Sequence, residues 1–160
     1  MNDHTKFHTD ARRQATALLL IRIAVGLVFV GEGALKFIRP DMLGPGRFAK
    51  IGLPAPELLA YGDGILEVIC GFAILIGLLT RLAAMPMVGD MIGAIVLTKI
   101  PLLWGAAALF PTEGGFWDFF HESRLDFSML LASLSLVLVG AGARSVDGRR
   151  NVGQLQGAGI

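Results

Sequence analysis

The sequence predicts an all-α integral membrane protein, a four-helix bundle with a longer aromatic-rich interfacial segment between helices 3 and 4. Three observations carry that expectation. Of the 160 residues, 54% are hydrophobic and only 17% charged, against about 25% charged in ordinary soluble domains. The apolar residues gather in four long runs, each close to the roughly 20 helical residues needed to cross a hydrocarbon core. Glycine is abundant, 21 in all, as suits helices that pack closely in lipid.

Taken in order, a polar N-terminal tail (1–16) leads into the first run, about 17–37, "ALLLIRIAVGLVFVGEGALKF". Pro40 helps to end it. With no small-residue cleavage site, this run reads as a mature helix and not as a signal peptide. The connection 38–56 has three glycines and four prolines, with room for one interfacial turn over "RFAKIG". The second run is about 57–79 and the third about 82–100, ahead of Pro101. Only "TR" (80–81) separates them, which predicts a tight antiparallel hairpin. Residues 101–123 carry Trp104, Phe110, Phe116, Trp117, Phe119 and Phe120, aromatics suited to the lipid–water boundary. Pro111 and Gly114–Gly115 break this stretch, so it reads as interfacial or re-entrant. The fourth run is about 126–142, closing a transmembrane domain of 17–143. A C-terminal tail, 144–160, follows.

Charge sets orientation and excludes some functions. Lys6, Arg12, Arg13, Arg81, Arg144, Arg149 and Arg150 fall on the side of the termini. Arg39, Arg47 and Lys50 fall on the other, with Lys99 and Arg124 at its borders. The excess places both termini in the cytoplasm of a cell with the protein in its inner membrane. A net charge of +1 provides no field for nucleic acid. The single cysteine, Cys70, excludes an internal disulfide and a multi-cysteine metal or iron–sulfur site. The chain has no evident flavin, haem or metal motif.

The charges inside the apolar runs are the informative ones. "GEGALK" (31–36) and "GDGILE" (62–67) are nearly the same hexapeptide. At 1.5 Å per residue, Glu32 lies about 25 Å along helix 1, and Asp63 and Glu67 lie about 9 and 15 Å along an antiparallel helix 2. Both hexapeptides therefore sit in the outer half of the membrane on neighbouring helices. Asp90 falls near the midplane. Charges at such depth cost at least ~2.5–3.5 kcal/mol each unless paired or solvated, and are functional candidates for that reason. The expected site is a polar pocket near the outer face. Glu67, Asp63 and Asp90 are candidate proton-relay groups. Arg22, Glu32, Lys36 and Trp104 are candidate ligand-binding groups, with Arg22 reaching up from below. Trp104 and Trp117 serve as interfacial anchors or flank a quinone ring. Ion pairs that only fix register, Arg22 with Glu67 or Asp90 and Lys36 with Glu32 or Asp63, are the bland alternative. Carboxylates outnumber bases, which argues against full pairing. No metal site is expected.

Helix 1 carries "RIAVGLVFVGEGALKF", and helix 2 with its turn carries "LEVICGFAILIGLLTRLAA". Over about 17–147 the chain resembles the DoxX family of small four-helix bacterial membrane proteins. The resemblance implies a bundle with cytoplasmic termini and a link to oxidoreduction, since related proteins are quinone-reducing thiosulfate oxidoreductase subunits or partners of redox and detoxification enzymes. It maps the family's polar positions onto Arg22, Lys36, Glu67, Thr80 and Arg81, the last two in a structural role. Three functions stay open. One is an accessory or quinone-interacting subunit of a membrane redox system, with quinone as the one implied cofactor. Another is a non-catalytic subunit of a larger membrane complex. The third is a small proton-coupled transporter. Lipid, other membrane or redox subunits and further copies of the chain are the expected partners.

Overall fold

The computed structural model describes residues 3–148, with side chains from Arg12 onward. Among the described residues all regular structure is helical. Helix α1 spans Asp3–Ile38, α2 Pro45–Lys50, α3 Pro56–Ile76, α4 Thr80–Ala94 and α5 Phe116–Val139. A π-helical turn, Ile95–Lys99, and a 3₁₀ turn, Ile100–Trp104, continue α4 without a break. Three stretches are long and apolar enough to cross a membrane: Arg12–Ile38, Pro56–Ile76 and Thr80–Trp104.

Helices α1 and α3 form the tightest seam, and glycine makes it. A Cβ on Gly33 would lie 2.6 Å from the carbonyl oxygen of Gly64, and one on Gly26 would lie 2.7 Å from that of Gly71. The two contacts are seven residues apart on each helix, a coiled-coil spacing. Small residues here let the backbones touch where no hydrophobic effect pulls helices together. Val25, Phe29, Ile74, Met87 and Leu136 fill the core between α1, α3, α4 and α5. Outward-facing Leu20, Ile69 and Leu82, on these three stretches, are exposed, as lipid-facing residues are.

Three boundaries differ from the sequence expectation. Helix α1 starts at Asp3 and not near residue 17. The α3–α4 turn is Gly77–Leu79, so Thr80 and Arg81 open α4 instead of forming the turn. Gly77 takes the left-handed φ of +73° that ends α3. Helix α5 begins at Phe116, within the segment expected to be interfacial, because no breaker follows Gly115. Phe116 and Phe120, one turn apart, stack at 6.4 Å. Part of the expected C-terminal tail folds back on the bundle. Asp147 accepts the backbone N–H of Leu79 at 2.9 Å and of Thr80 at 3.1 Å, capping α4 from the far end of the sequence. Residues 149–160 of that tail lie outside the described residues.

Candidate functional site

The twin hexapeptides meet. Gly33 and Gly64, the third residue of each, are in backbone contact, while Gly31 and Gly62, the first of each, have open space around them. This apposition carries Lys36 across to α3. Its ammonium donates to Asp63 Oδ2 at 2.6 Å and to Glu67 Oε2. Lys36 thus pairs between helices, and its one-turn neighbour Glu32 has no ion pair among the described residues. Glu67 and Lys36 are buried, at 3% and 9% exposure. Asp90 approaches from α4: one carboxylate oxygen each from Asp63, Glu67 and Asp90 lie within 4.8 Å of one another. Asp90 Oδ2 is buried and has no hydrogen-bond partner among the described residues. The Lys36 ammonium already supplies Asp63 and Glu67 with a cation.

This cluster lines a cavity of about 540 Å³, within the usual range for a small-molecule site. The elements around it are the second half of α1, the first half of α3, the end of α4 with the π turn, and the middle of α5, with α2 and its flanks completing the lining. Phe29, Phe48, Leu59, Met91, Leu97 and Met129 give apolar wall. Glu32 stands at the lining but is exposed.

The lining holds a second ionic group, on the α4–α5 side. Lys99 Nζ lies 3.6 Å from Glu122 Oε2 and 3.9 Å from Asp126 Oδ2, and 4.5 Å from the centroid of the Phe110 ring. By sequence Lys99 is a border charge of the outer side. The π turn is what brings it in. Pro101 has no N–H and its ring crowds the carbonyl four residues back, so the helix widens before tightening into a 3₁₀ turn. Ile95, Thr98 and Lys99 are all buried as a result. Pro101 was the available signal for that distortion.

Two residues expected at the pocket lie elsewhere. Arg22 does not line it. Its guanidinium is consumed at the other end of the bundle, donating to the carbonyls of Ile74 (2.9 Å), Leu75 (2.7 Å), Ala141 (3.2 Å) and Arg144 (2.8 Å). The last carbonyls of a helix lack intrahelical donors, and α3 ends at Ile76, so Arg22 ties α1 to the end of α3 and to the chain after α5. Trp104 is 74% exposed and makes no part of the cavity lining. Thr80 is buried and donates its N–H to Asp147. Arg81 donates to the carbonyls of Leu138 (3.2 Å) and Val139 (3.4 Å), at the negative end of α5.

A family model described as DoxX matches residues 17–100, the stretch that contributes Lys36, Asp63, Glu67, Asp90 and Lys99. An uncharacterized membrane protein of Mycobacterium tuberculosis is 49% identical over 133 residues, 83% of this chain and 80% of that one. A Bacillus subtilis protein named "Putative oxidoreductase CatD" is 29% identical over 130 residues, 81% of this chain and 83% of that one. No solved structure matches the chain.

Proposed function

The chain belongs to the DoxX family of multi-pass membrane proteins, and from that premise we propose that it is an accessory, quinone-interacting subunit of a membrane redox system. The observation that carries the reading is a cavity with apolar walls and a floor of buried Lys36 and Glu67 with partly buried Asp63 and Asp90. A quinone headgroup needs an apolar slot, a hydrogen-bond donor and a source of protons. The floor has three carboxylates for one ammonium, so further positive charge must enter it, and protons meet that need. Reduction of a quinone takes two electrons and two protons. Protons would pass through Asp90 and Glu67, and electrons would come from the redox cofactor of a partner protein. The name of the Bacillus subtilis relative supports an oxidoreductive setting for that protein.

In this reading α5 makes the fourth crossing. It packs along α4 and exposes Leu131, Leu138 and Val139 to lipid. Both termini lie in the cytoplasm of the inner membrane, and the cavity opens toward the outer face.

The test is titration of the purified protein with a soluble 1,4-naphthoquinone, menadione, followed by fluorescence quenching. Saturable binding, weakened in Glu67→Gln, supports the reading. A wild-type protein that binds no quinone, together with a Glu67→Gln variant of unchanged behaviour, sinks it and leaves a purely architectural subunit.

A further inference from the structure

Among the described residues, the Lys99 ammonium differs from the other buried cations in what it lacks. Arg22 has four carbonyl acceptors and Lys36 has two carboxylate acceptors. Lys99 is buried to the same degree, with 7% exposure, and is held in place on three sides. Glu122 and Asp126 stand at 3.6 and 3.9 Å, beyond hydrogen-bond length for an ammonium, and the Phe110 ring at 4.5 Å offers a face without a lone pair. Among the described residues its three N–H donors have no acceptor in bonding distance. The side chain is buried, yet its Nζ is not among the fully buried atoms that lack a partner. The ammonium therefore keeps an accessible face, and that face has a direction, because Lys99 lines the cavity.

We infer that Lys99 is the residue that binds the oxygen of the cavity's ligand, donating to a quinone carbonyl from the π turn that continues α4. This rests on the quinone reading above and assigns its binding pole. The two walls then have different tasks. Lys36 is saturated by Asp63 and Glu67, so it orders the proton-bearing floor and has little left to give a ligand. Asp90, with its free buried Oδ2, faces the reduced form, whose hydroxyl it can accept. Lys99 has its charge offset by Glu122 and Asp126 but its N–H groups unspent, so it gains a bond only when an acceptor enters. The π turn serves this placement: it lets Thr98 and Lys99 share the buried face, while the Thr98 hydroxyl turns back to the carbonyl of Ala94 at 2.6 Å.

The experiment compares menadione binding to the full-length wild type, Lys99→Met and Lys99→Arg in detergent, with thermal melting of each. Loss of one charge-assisted hydrogen bond predicts affinity about 10- to 100-fold weaker in Lys99→Met, partial recovery in Lys99→Arg, and melting temperatures within a few degrees of wild type for the arginine variant. Wild-type and Lys99→Met proteins that bind menadione equally overturn the inference and leave the quinone reading standing. A wild type that binds none overturns both. Should Lys99→Met fail to fold, Lys99→Arg decides, since its bulkier planar head in the same pocket changes affinity if the group touches ligand and leaves it unchanged if the group does not.

Discussion

Substituting Gly33 by alanine tests the seam on which the site is built, and the repeated hexapeptide supplies its own control. A Cβ on Gly33 lies 2.6 Å from Gly64 O, 2.9 Å from Val68 Cγ2 and 3.0 Å from Glu67 Cβ. Comfortable carbon–oxygen approach is about 3.4 Å, so α1 and α3 must part by roughly 0.8 Å. The nearest obstacle is backbone and cannot swing away. Overpacking of this kind costs about 1–3 kcal/mol. Alanine at Gly31, two residues earlier, meets nothing within 4 Å, and the gain in helix propensity is at most about 1 kcal/mol. The two variants should therefore differ by about 2 kcal/mol, or about 4–8 °C in melting temperature for a chain of this size. Thermal unfolding in one detergent, read by circular dichroism, measures both. Because the shift moves Lys36 away from Asp63 and Glu67, Gly33→Ala should also weaken menadione binding, and Gly31→Ala should not. Equal melting temperatures for the two variants would refute the close approach and with it the geometry of the floor.

Lys36→Met strips the only ammonium from Asp63 and Glu67 and should cost about 3–5 kcal/mol, the usual penalty for leaving buried charge unpaired. Adding Glu67→Gln should recover part of it, and a double-mutant cycle on melting temperatures would expose independent, additive losses if the pair is not coupled. Asp147→Ala removes the cap of α4 and should cost about 1 kcal/mol, with Asp147→Asn milder and menadione binding unchanged in both, since Asp147 lies at the opposite end of the bundle. A binding defect in either Asp147 variant would contradict that separation.

The parts of the site that were legible in the sequence are those that follow from counting along one helix. Rise per residue placed "GEGALK" and "GDGILE" at one level on antiparallel neighbours, and the structure brings Gly33 against Gly64 and Lys36 onto Asp63 and Glu67. Period and composition marked three crossing helices to within a few residues at most ends. What the count could not see was each place where a side chain answers a backbone group far along the chain. Arg22 sits at a plausible depth to meet Glu67, yet the free carbonyls at the end of α3 take it instead, because a helix end inside a bundle presents several aligned acceptors at once. Asp147 caps α4 across 67 and 68 residues of sequence, a pairing no local pattern announces.

Lys99 is the sharper case, since its chemistry was visible and its position was not. A lysine before a proline at the end of an apolar run ordinarily reaches outward to the interface. Here Pro101 forces the helix to widen, and one π turn converts an anchoring lysine into a cavity-lining one. The same distortion explains why the site has two unlike walls. On the α1–α3 side, glycines bring backbones together and Lys36 spends its donors on two carboxylates. On the α4–α5 side, a locally widened helix holds its cation beyond bonding distance of its counter-ions. Close packing satisfies groups; distortion leaves them available. A cavity between one wall of each kind has a paired floor and a cation with donors to spare, which is more than a lock on helix register alone requires.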